Sequence, residues 1–539
     1  MATYTRADAW NNGGTFANTD LLWYAKGVGA MQGRQLSDTS SWWFFAAIHG
    51  EYVTPSSLRD PNAFPWRNIP NPPRVSATPL PTTAVSDQYW DQCQHQSWYF
   101  PPWHRGYLVA LEAQVRACVI SLGGPSTWAL PYWNYFGPGN EFNIPPAFTQ
   151  KSLPDGSPNP LYVEARYGPD RDGNIYVPTP TGRQQHPNDP NYAPGTVTED
   201  CMSEQMYTSG DNGIPPGFGG PETGFSHGAE TDGGLLEGNP HNLVHVYVGE
   251  RSPDRRTPGL MSDPGLAALD PIFYLHHANI DRMWAVWNLA NANPNDPNWL
   301  NGPAATGDRE FVMPMPDGSS WVYTPQQMSS LSQLDYTYDS LPQPAAVPVA
   351  ALLAQRLTRL GATAAATKIK EGASVTIGTK TELVGTNQGA IPVKGAGAST
   401  SVKLDAGVRR KVSASLAKAS ETAPPDRVFL KLENVRGAHD ATVLSVYINL
   451  PDGAKPGDHP ELLAGSVGLF GLHGASLKDG KHGGQGLSFV LEMTKIVDAL
   501  HLNHALDADS LQVRIVPHRE VSDEAEITVG RIRIYRQGQ

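Results

Sequence analysis

Residues 93 to 120 read CQHQSWYFPPWHRGYLVALEAQVRACVI. From Arg105 to Ile120 the apolar residues recur at helical spacing, which predicts a helix with His104 in its first turn. The Pro-aromatic run before it reads as a rigid turn. His95 and His104 flank that turn, and Cys93 stands two residues before His95. A zinc site built on Cys93 would need partners that this stretch lacks.

Working outward, Asp281 to Ala290 repeats the helical pattern, and long Pro-, Gly- and Trp-rich segments lie between such pieces. Residues 1–340 therefore read as a mainly helical domain wrapped in long irregular loops, and structured loops of that length usually serve a function. Residues 341–370 are rich in Ala and Pro and read as a linker with a short helix. From 371 to 539 the pattern changes to short alternating strands (SVTIG, RVFLKLENV, TVLSVYINL, LSFVLEM, LQVRIV, ITVGRIRIY) separated by turns such as Pro451-Asp452-Gly453. These predict an all-β, sandwich-like domain of antiparallel strands. No internal repeat is visible.

At 539 residues the chain is long enough for two or three domains, and with 40% hydrophobic and 17% charged residues it can bury a large core. The net charge of −12, with one short basic cluster at Arg409-Arg410-Lys411, argues against a nucleic-acid or anionic-membrane partner. No apolar run reaches the length of a membrane span, and the N-terminus lacks the layout of a secretory signal, so the expected location is cytoplasmic. Cys93, Cys118 and Cys201 are too few for a disulfide framework. Cys118, on the apolar helix, reads as a buried hydrophobe.

The histidines carry the chemistry. His241 and His245 (HNLVH) are four apart and share one face of a helix. In DPIFYLHHANIDRMW, residues 270–284, His276 and His277 are adjacent, and Asp281, four beyond His277, is placed to hold an imidazole or pair with Arg282. His49 (AAIHG), His95 and His104 form a first group. Three plus three histidines suggest two metal ions with neutral nitrogen ligands. Di-iron bundles bring bridging carboxylates and zinc hydrolases a His-Glu-x-x-His pair, and neither appears here. An all-histidine pair of sites points to copper. His186, His227, His459, His473 and His482 show no partner pattern and read as surface or structural residues.

The motifs also resemble those of the tyrosinase, catechol oxidase and haemocyanin superfamily of type-3 dicopper proteins. One signature is met by His95, Phe100, Trp103, His104, Arg105, Leu108 and Glu112, the other by Asp270, Pro271, Phe273, His277 and Asp281. Tyr336-Thr337-Tyr338 is similar to the tyrosine motif that closes the family's catalytic domain. The resemblance implies an antiparallel four-helix bundle around a dinuclear copper site. His49, His95 and His104 would bind one copper and His241, His245 and His277 the other, with His276 outside the ligand set. It implies a thioether between Cys93 and His95, and a proton-accepting water positioned by Glu237 and Asn242. Pro264, thirteen residues before His277, stands where relatives often carry a bulky gate, which implies an open mouth. The C-terminal domain would be a lid that keeps the enzyme latent, although nothing in the sequence names the residue that plugs the pocket. The implied activity uses dioxygen to hydroxylate monophenols and to oxidise o-diphenols to o-quinones. The partners expected are small phenols, with no nucleic acid and no membrane, and a homo-oligomer is compatible. The alternatives are a catechol or o-aminophenol oxidase without hydroxylase activity and a haemocyanin-like oxygen carrier.

Overall fold

The computed structural model describes residues 4–50, 79–168, 197–226, 232–252, 257–342, 349–370, 378–420, 424–438, 442–478, 483–506 and 508–538. The Pro-rich insertion between His49 and His95, most of the SVTIG segment, and His186, His227 and His482 lie outside these residues.

Five helices build the core of the first domain: α1 (Thr19–Gln32), α2 (Trp42–His49), α3 (Phe100–Ser121), α4 (Leu243–Gly249) and α5 (Ile272–Trp287). Local chemistry starts them. Asn18 caps α1 by accepting from the Asp20 N–H, and Ser41 caps α2 by accepting from Phe44. Pro101 and Pro102 sit in the first turn of α3, where a missing N–H costs nothing. Every residue of α2 and α5 is buried, so neither helix has a polar face and both lie inside the domain. Their surroundings are aromatic: all 14 tryptophans precede residue 322, and Trp42, Trp98, Trp103, Trp128, Trp133, Trp284, Trp287 and Trp299 are fully buried.

The domain is tied shut where its chain begins and ends. A short parallel pair joins Tyr4–Arg6 (β1) to Tyr336–Tyr338 (β2). Between them Arg6 is fully buried, donating to Glu112 on α3 (2.8 Å) and Asp281 on α5 (3.2 Å), with its guanidinium 3.7 Å from the Tyr336 ring centroid. Asp281 also pairs with Arg105 and accepts from the Tyr336 hydroxyl (2.6 Å). It thus binds arginines and tyrosines rather than an imidazole. Arg282, the partner expected for it, instead donates to the Ser340 carbonyl.

The β-rich C-terminal domain is present, with helices against its strands. Among the described residues, eight strands form one path, in the order Leu463–Gly468, Val443–Ile448, Ser510–Pro517, Ala398–Leu404, Lys380–Asn387, Thr528–Gly538, Arg427–Arg436, Leu487–Glu492, with Ile391–Pro392 pairing beside Thr528–Gly538. All these pairings are antiparallel. The first and last strands approach each other, a Cβ at Gly465 falling 2.8 Å from Leu491. The two layers of a sandwich are thus one sheet curled nearly to closure. Its core is aliphatic, of Val, Leu, Ile, Ala and Met, and distinct from the aromatic core of the helical domain.

Within 341–370, two helices pack against each other, α6 (Val349–Arg359) and α7 (Thr363–Lys370). Arg356 anchors them to the β-domain through a two-pronged pair with the buried Asp498 (2.8 and 2.9 Å) and bonds to the Pro425 and Asp426 carbonyls. No described helix is long and apolar enough to cross a membrane.

Candidate metal centre

Helices and one clamped loop bring the six expected histidines together. His49 ends α2, and Gly50 lets the chain leave it: a Cβ there would lie 2.7 Å from the Gly265 carbonyl oxygen, so glycine admits the Pro264-Gly265 loop. His95 sits before α3, its backbone N–H donating to Ser226 O and its carbonyl accepting from Ser226 Oγ. His104 lies in the first turns of α3, His245 on α4 and His277 on α5, while His241 falls in the wider turn Glu237–Asn242 that leads into α4.

Ring centroids define two adjoining triads. His49, His95 and His104 are separated by 5.4, 5.4 and 5.7 Å. His241, His245 and His277 are separated by 4.5, 4.8 and 5.6 Å. The triads meet where His104 stacks on His277 at 4.5 Å. Phe273 and Phe100 pack against rings of both triads.

The protonation pattern tests whether a metal fits. His104 Nδ1 lies 2.8 Å from the Phe100 carbonyl and His245 Nδ1 2.7 Å from the Met261 carbonyl. A carbonyl only accepts, so each ring carries its proton at Nδ1 and presents a lone pair at Nε2. His241 Nδ1 makes the matching 2.8 Å contact with Asn242 Oδ1. On the other side, Nε2 of His241 and of His245 face Nε2 of His277 at 3.3 and 3.4 Å. Burial keeps the rings neutral, with the His241 pKa pushed down to about 3 and those of His104, His245 and His277 well below the usual value. Lone pairs converging at such distances are what a cation between them satisfies. Imidazole nitrogens dominate both groups of close-set donors, His241, His245, His276 and His277 in one and His49 and His95 with the Cys93 sulfur in the other, and no carboxylate joins either, which fits a dinuclear copper site.

The remaining expected residues surround the rings. Cys93 is buried, with Sγ 3.4 Å from His95 Nδ1. Both Glu237 carboxylate oxygens stand 2.9 Å from the backbone N–H of Gln96, and burial lifts that carboxyl to about 8. Asn242 lines the same cleft, with its Oδ1 engaged by His241. His276 packs its ring on His241 (5.3 Å) and edge-on to His245 (5.0 Å). Of the histidines set aside, His459 contacts Glu461 at the surface, and His473 lies in the short helix that follows Phe470.

Phe470, for which the sequence offered no signal, enters from the C-terminal domain. A cleft of about 1430 Å³ runs between the domains, with His49, His95, Glu237, Asn242 and Pro264 on one wall and Phe470 on the other. The Phe470 ring stacks on His245 at 4.2 Å and 26°, and stands edge-on to His241 (5.8 Å) and His95 (6.1 Å). Gly468, two residues before it, lies so close to the histidine-bearing turn that a Cβ would fall 2.9 Å from the Asn242 carbonyl oxygen.

Residues 39–290 match the family model described as the common central domain of tyrosinase, and residues 380–537 match a domain of unknown function. Tyrosinase HcTyr1 of Hahella sp. (strain CCB-MM4) is 30% identical over 529 residues, 96% of this chain and 97% of that protein. Catechol oxidase B, chloroplastic, of Solanum tuberosum is 35% identical over 212 residues, 38% of this chain and 33% of its own length. In fold, latent apple tyrosinase superposes over 100% of this chain and 98% of its own, with a TM-score of 0.56 at 20% identity.

Proposed function

Starting from the fact that the chain belongs to the tyrosinase and polyphenol oxidase family of copper enzymes, we propose that it oxidises small phenols with dioxygen, converting o-diphenols to o-quinones and hydroxylating monophenols. In this reading the first copper is held by His49, His95 and His104 and the second by His241, His245 and His277. Bound there, the copper pair supplies the dioxygen activation and two-electron chemistry that no side chain provides. The observation that carries the reading is the convergence of neutral Nε2 atoms beneath a cleft whose inner end already accepts an aromatic ring, that of Phe470.

The chain's own residues bind, orient and deprotonate. The His245 face on which Phe470 stacks is a place where a phenol ring can lie, stacked and shielded from water. A phenol holds its proton up to a pKa near 10, so hydroxylation needs an acceptor. Glu237 lines that cleft, held by the Gln96 N–H, and in its ionised form takes this role through a water it positions. A second reading, catechol oxidation without hydroxylation, is favoured by one contact: Asn242 Oδ1 is committed to His241. Because Phe470 fills the ring site, we read the enzyme as latent until the C-terminal domain moves.

The test compares the copper-loaded full chain on 4-methylcatechol and 4-methylphenol, before and after lid displacement by mild detergent. Quinone from both substrates after displacement supports the full reading. Quinone from the catechol alone selects the second reading, and none from either removes both. Glu237→Gln should lower turnover of the monophenol more than that of the catechol, and equal losses would remove the proton-acceptor role.

A further inference from the structure

We infer that the C-terminal domain is held over the metal site by an electrostatic latch of one polarity at the rim of the cleft, separate from the aromatic plug at its centre. The inference rests on reading that domain as a lid. Among the described residues, carboxylates of the helical domain meet bases of the β-domain at three places. Lys431 Nζ lies 2.5 Å from Asp232 Oδ2 and donates to the Asn212 carbonyl at 3.0 Å. Arg427 Nη2 lies 3.5 Å from Glu204 Oε2. His518 Nε2 stands 3.3 Å from Glu250 Oε1, with Arg519 Nε 4.0 Å from the same oxygen. Across the interface each contact joins an acid of the helical domain to a base of the β-domain, Arg427 being also paired with Glu492 of its own domain at 2.8 Å. The helical side of the cleft is likewise acidic, its described lining residues including Asp200, Glu204, Glu237 and Asp263 but no lysine or arginine, whereas the β-domain side is mixed, with Arg427 and Lys495 beside Glu461 and Glu492.

Burial gives these pairs their leverage. Asp232, Glu204 and Glu250 are 7, 7 and 5% exposed. A buried ion pair adds little over an apolar pair, but losing one partner leaves a charge without water or counter-ion. In a fixed core that penalty is simply suffered. At a domain interface it is relieved by opening, which rehydrates the abandoned carboxylate. The neighbouring apolar cluster, Ile214 against Phe429 and Tyr535, is non-directional, so the ion pairs fix where the lid sits. The Asp232 contact also reaches the site: Asp232 forms a β-bridge with Ser488 of the lid and lies five residues before Glu237.

The test uses the copper-loaded full chain with no activator, reading 4-methylcatechol oxidation together with the radius of gyration from small-angle scattering. Lys431→Met is expected to raise the rate by about tenfold or more, the factor that about 1.4 kcal/mol supplies, and to enlarge the molecule. The exchanged pair Lys431→Asp with Asp232→Lys is expected to return both readings towards those of the unaltered chain. A Lys431→Met protein as closed and as latent as the parent overturns the latch, and so does an exchanged pair that stays open. Failure of the oxidase reading is separate: the detergent-displaced parent would then oxidise no catechol, while the scattering comparison would still report on the latch.

Discussion

Replacing Phe470 by alanine isolates the plug. The ring is 6% exposed, stacked on His245 at 4.2 Å and edge-on to His241 and His95. Moving a phenylalanine side chain from water to such surroundings is worth about 2–3 kcal/mol, and the aromatic contacts add about 0.5–1.5 kcal/mol. An open lid returns the ring to water, so the substitution removes about 3–4 kcal/mol from the closed state. At about 1.4 kcal/mol per tenfold, the open fraction rises by about two to three orders of magnitude, up to the limit of full opening. The assay is the initial rate of 4-methylcatechol oxidation by the copper-loaded full chain, divided by its rate after detergent displacement of the lid. For Phe470→Ala that ratio should approach one, and for Phe470→Leu, which keeps apolar contact but loses stacking, it should fall between. If the alanine variant is copper-replete and as latent as the parent, Phe470 is a bystander and the burial argument fails.

Three further outcomes follow from single contacts. Gly468→Val should also release the lid, because its Cβ would meet the Asn242 carbonyl oxygen at 2.9 Å, a backbone atom that cannot swing aside as a flexible side chain would; a latent, folded variant would contradict this close approach. If Cys93 is joined to His95, intact mass of the copper-loaded chain will fall short of the sequence mass by two hydrogens, and Cys93→Ser will abolish the deficit; a full-mass active enzyme removes the cross-link. Asp8 has its carboxyl raised to about 7, first by burial and then by the nearby Glu141 and Asp339 carboxylates, against the Trp10 N–H bond and Arg282. The folded chain holds that proton more tightly than the unfolded one, so stability falls as pH rises from about 4 to 7. Asp8→Asn should therefore gain about 1–2 kcal/mol relative to the parent between pH 4 and 8, after allowance for solvent screening, read as a growing difference in Tm; a constant difference would refute it.

What the sequence made legible was local chemistry. His95 and His104 bracket a turn that opens a helix, and His241 with His245 or His277 with Asp281 repeat at helical spacing, so the histidines that the fold brings together could be picked out from short segments. Asp281 shows where that stops. Its spacing from His277 suggested a second-layer role, yet its partners are Arg105 and Arg6, the latter 275 residues away. For 341–370 the composition suggested a linker with one short helix, and the packed pair of helices depends on a contact that it does not mark, Arg356 with Asp498, 142 residues on. Phe470 was invisible for the same reason. Nothing about a phenylalanine between Leu469 and Gly471 marks it, because its role exists only once a strand from one domain lies on a helix of the other.

The plug and the latch set different conditions for opening. Phe470 occupies the histidine face on which a substrate ring would stack, so substrate binding and lid closure exclude each other there. A ligand that binds only the open form shifts the balance by RT ln(1 + [L]/Kd), about 2.7 kcal/mol at a hundred times Kd. That approaches the 3–4 kcal/mol assigned to the ring, so concentrated phenol alone could match most of the plug's contribution. It does nothing to the rim, where Lys431, Arg427 and His518 meet carboxylates outside the ring site. A lid held by the plug alone would yield to substrate as its concentration rose. On the proposed latch, buried ion pairs, which no phenol competes for, would keep the domain closed in the presence of substrate and leave opening to whatever breaks the charges.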